Sequence, residues 1–338
     1  MIMSDCRIGV VGAGSWGTTL ANMMAEKGLP VTLWAYEQEL VASIATKRRN
    51  HLFLPDVELH QGIVCTGDLG QAVLGKRIVL WVTPVKAFRG LFAQGLPESS
   101  PGTIHVCASK GIENDTLETV SQVAAEVALG RELYFAVLSG PSFALDVARR
   151  MPTAVVIASQ NQASAAVVQE VFATPCFRTY TSNDVVGVEI GGALKNVIAV
   201  ASGIVEGLGM GHNTRAALIT RGLAEMMRLG VFLNADPLTF SGLSGIGDLV
   251  LTCTSTQSRN YSVGLQIGKG KKLDDIMSHM NMVAEGVYTT RSAYALSRRH
   301  SIEMPIVAEI YQILFEGKPA GQAVKALMGR DLKKEILL

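Results

Sequence analysis

Through its first half the chain alternates short, continuous runs of β-branched and apolar residues with longer stretches of helical periodicity. Apolar runs of strand length closed by turn residues predict strands buried on both faces at residues 8–11, 31–34, 78–82, 104–108, 135–138 and 154–158. Between them, residues 16–27, 116–129 and 163–172 carry the 3.6-residue period of helices, so the order is β-α-β repeated. That order predicts a doubly wound, mostly parallel α/β sheet. Near residues 184–192 the strands stop. Helical periodicity then takes over at residues 190–206, 214–229, 258–268, 273–280, 288–299 and 304–315, which predicts an all-α domain. The expected division is 1–190 for the sheet and 191–338 for the helices. No internal repeat, low-complexity tract or long linker interrupts the pattern.

A length of 338 residues is beyond the size at which one core keeps growing, which agrees with two domains. With 48% hydrophobic and 17% charged residues, and 30 basic against 29 acidic, the chain has no strong field of either sign. No nucleic-acid partner is therefore expected. Lys47-Arg48-Arg49 and residues 269–272 are the densest basic runs and read as solvated turns or an anion contact. The five cysteines, Cys6, Cys65, Cys107, Cys176 and Cys253, show neither CxxC pairs nor zinc-type spacing. No metal site is expected, and reduced thiols point to the cytoplasm. No apolar run approaches the ~18 residues of a bilayer span, and no signal-peptide pattern opens the chain.

The first predicted strand runs into GAGSWG, where Gly12, Gly14 and Gly17 form a G-x-G-x-x-G at the start of a predicted helix. In that context the first glycine permits a tight turn, the second lets backbone approach a pyrophosphate, and the third lets the helix pack on the sheet. Unpaired N–H groups of the first helical turn face the anion. The segment is expected to hold a dinucleotide on a Rossmann-type sheet. The residue that reads the ribose belongs ~20 positions further on. There the chain reads Trp34-Ala35-Tyr36-Glu37. Tyr36 suits stacking on an adenine, Lys47, Arg48 or Arg49 a 2′-phosphate, and Glu37 a ribose hydroxyl, so NADP is favoured with NAD left open.

Four further stretches place polar residues inside segments that otherwise read as buried. SKGIE puts Lys110 at the carboxyl end of a predicted strand, where open α/β sheets bind ligands, although a solvated strand end looks the same. SGPSFA offers Gly140 and Ser142 at the same sheet edge, or an ordinary turn. GGALKN sets Lys195 and Asn196 in a helix of small and apolar residues, where the amine either snorkels to the surface or meets another body packed close. GLSGIGDL leads from Asp248 to Ser258-Arg259-Asn260 at a predicted helix start, either a plain N-cap or a phosphate site.

Taken in order and spacing, GAGSWG, SKGIE, SGPSFA, GGALKN and GLSGIGDL followed by QSRN resemble the bacterial-type NAD(P)-dependent glycerol-3-phosphate dehydrogenases, from Arg7 to about Arg330. The resemblance implies an oxidoreductase of CH-OH donors that interconverts sn-glycerol 3-phosphate and dihydroxyacetone phosphate and supplies phospholipid synthesis. It implies a homodimer. Lys195 would be the general acid/base. Substrate contacts would map onto Lys110, Gly140, Ser142, Lys195, Asp248, Ser258, Arg259 and Asn260. Cofactor contacts would map onto Ser15, Trp16, Lys110, Ala144, Arg259, Val283 and Glu285, beside the glycines and Tyr36. At Tyr36 the family often has histidine or arginine. A ketopantoate or 6-phosphogluconate type reductase would share the sheet and a lysine on the following helix but lack the phosphate block at residues 258–260. A non-enzymatic dinucleotide sensor would need neither Lys195 nor Asp248. A free lysine titrates near ~10.4. Burial and Lys110 would lower that value and Asp248 would raise it, a balance the sequence leaves open.

Overall fold

A computed structural model describes residues 6–280, 283–332 and 334–335. The chain divides into two units, one formed by Met1–Ser109 with Val120–Val185, the other by Lys110–Thr119 with Val186–Leu338. The first contains β1 (Ile8–Val11), β2 (Val31–Trp34), β3 (Arg49–Asn50), β4 (Leu54–Glu58), β5 (Ile63–Thr66), β6 (Ile78–Trp81), β7 (Ile104–Cys107), β8 (Tyr134–Ser139), β9 (Thr153–Ala158) and β10 (Phe177–Ser182). Eight of them form one sheet in the order β10-β9-β8-β7-β6-β1-β2-β5, and β3 pairs with β4 apart from it. Within the large sheet every neighbouring pair is parallel except β8 with β9. The sequence order reverses at β1, flanked by β2 and β6.

The helices of this unit are α1 (Ser15–Glu26), α2 (Gln38–Lys47), α3 (Leu69–Val73), α4 (Val85–Gly95), α5 (Val120–Ala128), α6 (Ala144–Ala148) and α7 (Gln162–Phe172). Strand side chains alternate between two buried layers. Ile8, Val10, Leu33 and Leu80 join Leu20 and Met24 of α1 on one face, and Val11, Val79 and Trp81 join Phe88 and Phe92 of α4 on the other. Burial on both faces is why these strands read as unbroken apolar runs. The edge strands β5 and β10 lack that signature: in β10, Phe177 and Thr179 are buried while Arg178 and Tyr180 are exposed. Neither was expected from apolar continuity, and the reason is their half-solvated position.

The helix expected at 116–129 begins only at Val120. Leu117 adopts a left-handed φ of 66°, and Ile112 bridges to Thr119, so residues 110–119 form a closed loop instead.

The second unit is helical: α8 (Val185–Gly207), α9 (Gly211–Phe232), α10 (Asp248–Thr254), α11 (Arg259–Gly268), α12 (Leu273–Ser278), α13 (Glu285–Arg299), α14 (Pro305–Phe315) and α15 (Ala320–Met328). Its centre is α8, whose Ile190, Leu194, Val197, Ile198 and Ala201 are all buried. Among the described residues one helix, α8, at 23 residues and with an 18-residue window of mean hydropathy 1.5, is long and apolar enough to cross a membrane by length and composition alone. Its apolar window lies wholly inside the protein, so the length and apolarity are those of a core helix. Gly203 and Gly264 let α8 and α11 meet backbone to backbone: a Cβ on Gly203 would stand 2.0 Å from the Tyr261 carbonyl oxygen. Glu225 of α9 is buried, and its carboxylate accepts from the N–H groups of Ile306 (2.6 Å) and Val307 (3.1 Å), capping the start of α14 from outside. Burial pushes that carboxyl up to about 7, against the pull of those two N–H groups.

Candidate active site

In the first unit the chain leaves β1 at the carboxyl edge where strand order reverses and turns at once into α1. Gly12 takes a left-handed φ of 117°, and a Cβ there would stand 2.4 Å from the Val82 carbonyl oxygen. At Gly17 a Cβ would stand 1.9 Å from the carbonyl oxygen of Gly12, so helix and turn touch directly. Gly14 differs: nothing lies within 4 Å of its missing side chain. It is the N-cap of α1, with no side-chain capping bond and no acidic residue in the first turn. The first N–H groups are thus left to an incoming anion, on a turn whose outer side is open. The fit to a dinucleotide pyrophosphate rests on these features together.

Ser15 and Trp16 follow in the first turn of α1, and the Trp16 Nε1 is buried with no hydrogen-bond partner. Ala144, on α6, accepts from Thr19 Oγ1 of α1 at 3.2 Å, which brings the start of α6 against the same helix. Gly140 has a φ of 134°, and Ser142 Oγ donates to its carbonyl at 2.9 Å. Tyr36 is 79% exposed, set edge-on to Trp34. Arg48 is committed to the fold: its guanidinium donates to the carbonyls of Ile63 (2.9 Å) and Gln61 (2.6 Å). Arg49 donates to the carbonyl of Pro55 at 3.3 Å.

The second unit gathers charge around a buried carboxylate. Gly191 of α8 lets the loop before α10 press in, since a Cβ there would stand 2.4 Å from the Ser244 carbonyl oxygen. That approach delivers Asp248, the first residue of α10, to Lys195 one turn along α8. Lys195 Nζ donates to Asp248 Oδ1 at 2.7 Å and to Thr252 Oγ1 at 2.9 Å. Lys110 Nζ, from the loop after β7, donates to Asp248 Oδ2 at 2.8 Å. Two ammonium groups therefore share one carboxylate that is 1% exposed.

Burial lowers the Lys195 amine to about 8, Asp248 opposing and Lys110 assisting the shift. Asp248 is held below the ordinary carboxylate range: burial disfavours its charge, but the two lysines outweigh it. A lysine in this state exchanges a proton near neutral pH, and the surplus positive charge suits an anionic substrate.

Beside this cluster, Asn260 Nδ2 donates to Asn196 Oδ1 at 2.9 Å, and the N–H of Gly286 donates to Asn260 Oδ1 at 2.9 Å. The pair ties α8, α11 and α13 together. Ser258 is the N-cap of α11, its hydroxyl accepting from the Tyr261 N–H at 3.2 Å. Arg259 donates to the Val283 carbonyl at 2.9 Å. Burial lowers its pKa and the carboxylate of Glu285 raises it. The residues expected from sequence thus fall into two groups, one in each unit. Thr252, which receives the third contact of the Lys195 site, was not among them. Its signal was available in the four-residue spacing from Asp248, which sets both on one helix face.

Comparison with known proteins gives a consistent result. Residues 7–165 match the family model of the NAD-dependent glycerol-3-phosphate dehydrogenase N-terminus, and residues 184–325 that of its C-terminus. A glycerol-3-phosphate dehydrogenase [NAD(P)+] of Geobacter sulfurreducens is 60% identical over 97% of this chain and 98% of its own length. One of Geobacter metallireducens is 57% identical over the same shares. Among solved structures, the glycerol-3-phosphate dehydrogenase of Coxiella burnetii superposes with a TM-score of 0.92 at 38% identity, covering 96% of this chain and 99% of that one. A ketopantoate reductase from Ralstonia eutropha, at 15% identity and a TM-score of 0.60, shares the fold alone.

Proposed function

The chain belongs to the NAD-dependent glycerol-3-phosphate dehydrogenase family, and from that premise we propose how its residues divide the work of interconverting sn-glycerol 3-phosphate and dihydroxyacetone phosphate with NAD or NADP. The reaction's general role is to supply glycerol 3-phosphate for phospholipid synthesis. The observation that carries the proposal is the Lys195 amine, buried, 2.7 Å from Asp248 and lowered to about 8.

The turn at Gly12, Gly14, Ser15, Trp16 and Gly17 holds the dinucleotide's pyrophosphate, with Ala144, Tyr36, Val283 and Glu285 as further contacts. A nicotinamide dinucleotide bound there would supply the hydride chemistry of the reaction, as acceptor from C2 of the alcohol or donor to the ketone. Lys195 takes the C2 hydroxyl proton as the hydride leaves, and gives it back to the ketone oxygen in reverse. Lys110 supplies a second ammonium to the developing alkoxide. Asp248 keeps both lysines aimed, since each donates to one of its oxygens. Arg259, Ser258 and Asn260 bind the phosphate, with Gly140 and Ser142 completing the substrate contacts. Pinning the phosphate makes proton and hydride transfer effectively unimolecular, so binding energy is turned into rate.

We further place the protein as a homodimer in the cytoplasm. The support is five cysteines with neither CxxC pairs nor zinc-type spacing and, on the second unit, the exposed apolar side chains of Val231, Phe232, Leu238 and Met328. Sedimentation at low protein concentration tests the dimer, and a monomer throughout would reject it. Initial rates with NADH and NADPH test the function: dihydroxyacetone phosphate is reduced and unphosphorylated dihydroxyacetone is not. Equal rates on the two ketones would remove the phosphate site from the account.

A further inference from the structure

Asn50, on β3, lies 37 residues from the glycine turn and is fully buried. Its side chain is held at both ends. The Phe53 N–H donates to its Oδ1 at 3.0 Å, which fixes the amide's orientation. Its Nδ2 then donates to the Ala13 carbonyl at 2.7 Å and to Thr18 Oγ1 at 2.8 Å. The Thr18 hydroxyl donates in turn to the same Ala13 carbonyl at 3.1 Å. One peptide oxygen in the middle of the glycine turn thus takes two hydrogen bonds from the interior.

The consequence follows from peptide planarity. In a trans peptide the carbonyl and the following N–H point in opposite directions. Anchoring the Ala13 oxygen inward therefore aims the Gly14 N–H away from that interior, at a residue whose missing side chain would meet nothing within 4 Å. Glycine-rich turns are free to flip their peptides, and a flip here would turn a carbonyl toward an anion. We propose that Asn50, with Thr18, is a positioning residue for cofactor binding: it locks the Ala13–Gly14 peptide in the orientation that offers its N–H to the dinucleotide phosphate. The inference rests on the reading of the glycine turn as the dinucleotide site. Asn50 acts through that turn and touches no reacting atom.

The surroundings of Asn50 are built to hold it still. Arg48, immediately before β3, takes a left-handed φ of 54° and clamps its guanidinium on two carbonyls, and Ser43 Oγ donates to the Arg49 carbonyl at 3.0 Å. The small pair of β3 and β4 thereby serves as a bracket for one amide group.

The test measures dinucleotide Kd by nicotinamide fluorescence, together with kcat and the KM for dihydroxyacetone phosphate, on four proteins. Asn50→Asp keeps the shape but sets a carboxylate oxygen against the Ala13 carbonyl. Thr18→Val keeps the volume and removes the hydroxyl. Gly14→Val, at a backbone conformation any residue adopts, fills the open side of the turn. The fourth is the parent. Gly14→Val should abolish tight dinucleotide binding. Asn50→Asp should raise Kd and cofactor KM by about tenfold or more, and Thr18→Val by a smaller factor, as expected for buried polar groups left unmatched. Both losses should fall on the cofactor constants, with kcat at saturating cofactor and the ketone KM little changed.

Parent-like Kd in a folded Asn50→Asp, with Gly14→Val defective, overturns the role of Asn50 and leaves the turn as the cofactor site. Parent-like Kd in Gly14→Val overturns both. A parallel fall in kcat and rise in ketone KM would mark Asn50 as merely structural and reject the proposal. Should Asn50→Asp fail to fold, Thr18→Val decides by the same split.

Discussion

In the glycine turn of the first unit, the proposed work falls to backbone, and its residues are conspicuous for the side chains they lack. In the lysine cluster of the second unit, the proposed work falls to charged side chains, with Lys195 and Asp248 buried and Lys110 partly exposed. Gly14 leaves open space and uncapped N–H groups; Lys195 and Asp248, both buried, and the partly exposed Lys110 bring three formal charges together. The turn keeps its N–H groups open to a ligand without burying a charge of its own. The cluster holds its charges because every one is paired, and burial leaves the central amine near neutrality. The first arrangement favours binding with little chemistry, and the second favours chemistry at the expense of stability.

The comparison breaks most sharply at Lys195. Lys195→Ala should lower turnover on the order of 10³-fold or more, the range of a lost general acid/base, while dinucleotide Kd stays near the parent value. Kd measured by fluorescence beside steady-state rates checks this, and a large rise in Kd would merge the two roles. Asp248→Asn comes next. It leaves two lysines facing each other without the carboxylate that aims them, and kcat/KM should fall by about 10²-fold. The pH dependence should also move. Asp248 raises the Lys195 pKa, so its removal leaves burial and Lys110 unopposed and shifts the rising limb of alcohol oxidation to lower pH. A limb that stays in place would separate Asp248 from the amine.

The smallest kinetic effect is expected at Glu225, buried and bonded to the start of α14. Glu225→Ala uncaps α14 and should cost about 1–3 kcal/mol, read as a lower Tm, with kinetic constants within about twofold of the parent.

The two regions also differed in how far they could be read from sequence. The turn was legible because its requirement is local: three glycines at fixed spacing, directly after an apolar strand, determine where backbone bends and what comes close. The central strands were legible for a similar reason, burial on both faces. The edge strands β5 and β10 were not, since half their residues face water and break the apolar run. In the cluster, the sequence showed a lysine where a helix should be apolar, but its partner stands 53 residues away. The helical pattern does not state which carboxylate a packed helix will meet, and only the resemblance joined Lys195 to Asp248 in advance. Asn50 gave no signal at all. A single asparagine in a turn-like stretch looks solvated, and its burial depends on the path of β3 and β4.

The central claim is that one buried amine near neutrality exchanges the proton of the reaction. The most direct measurement is the pH dependence of kcat/KM in both directions at saturating cofactor. Oxidation of glycerol 3-phosphate needs Lys195 unprotonated, so its rate should climb about tenfold per pH unit and level off above about 8. Reduction of dihydroxyacetone phosphate needs the same group protonated and should fall through the same value. Opposed limbs meeting near 8 are the predicted result; profiles that stay flat across that range, in a protein that still turns over, would contradict it.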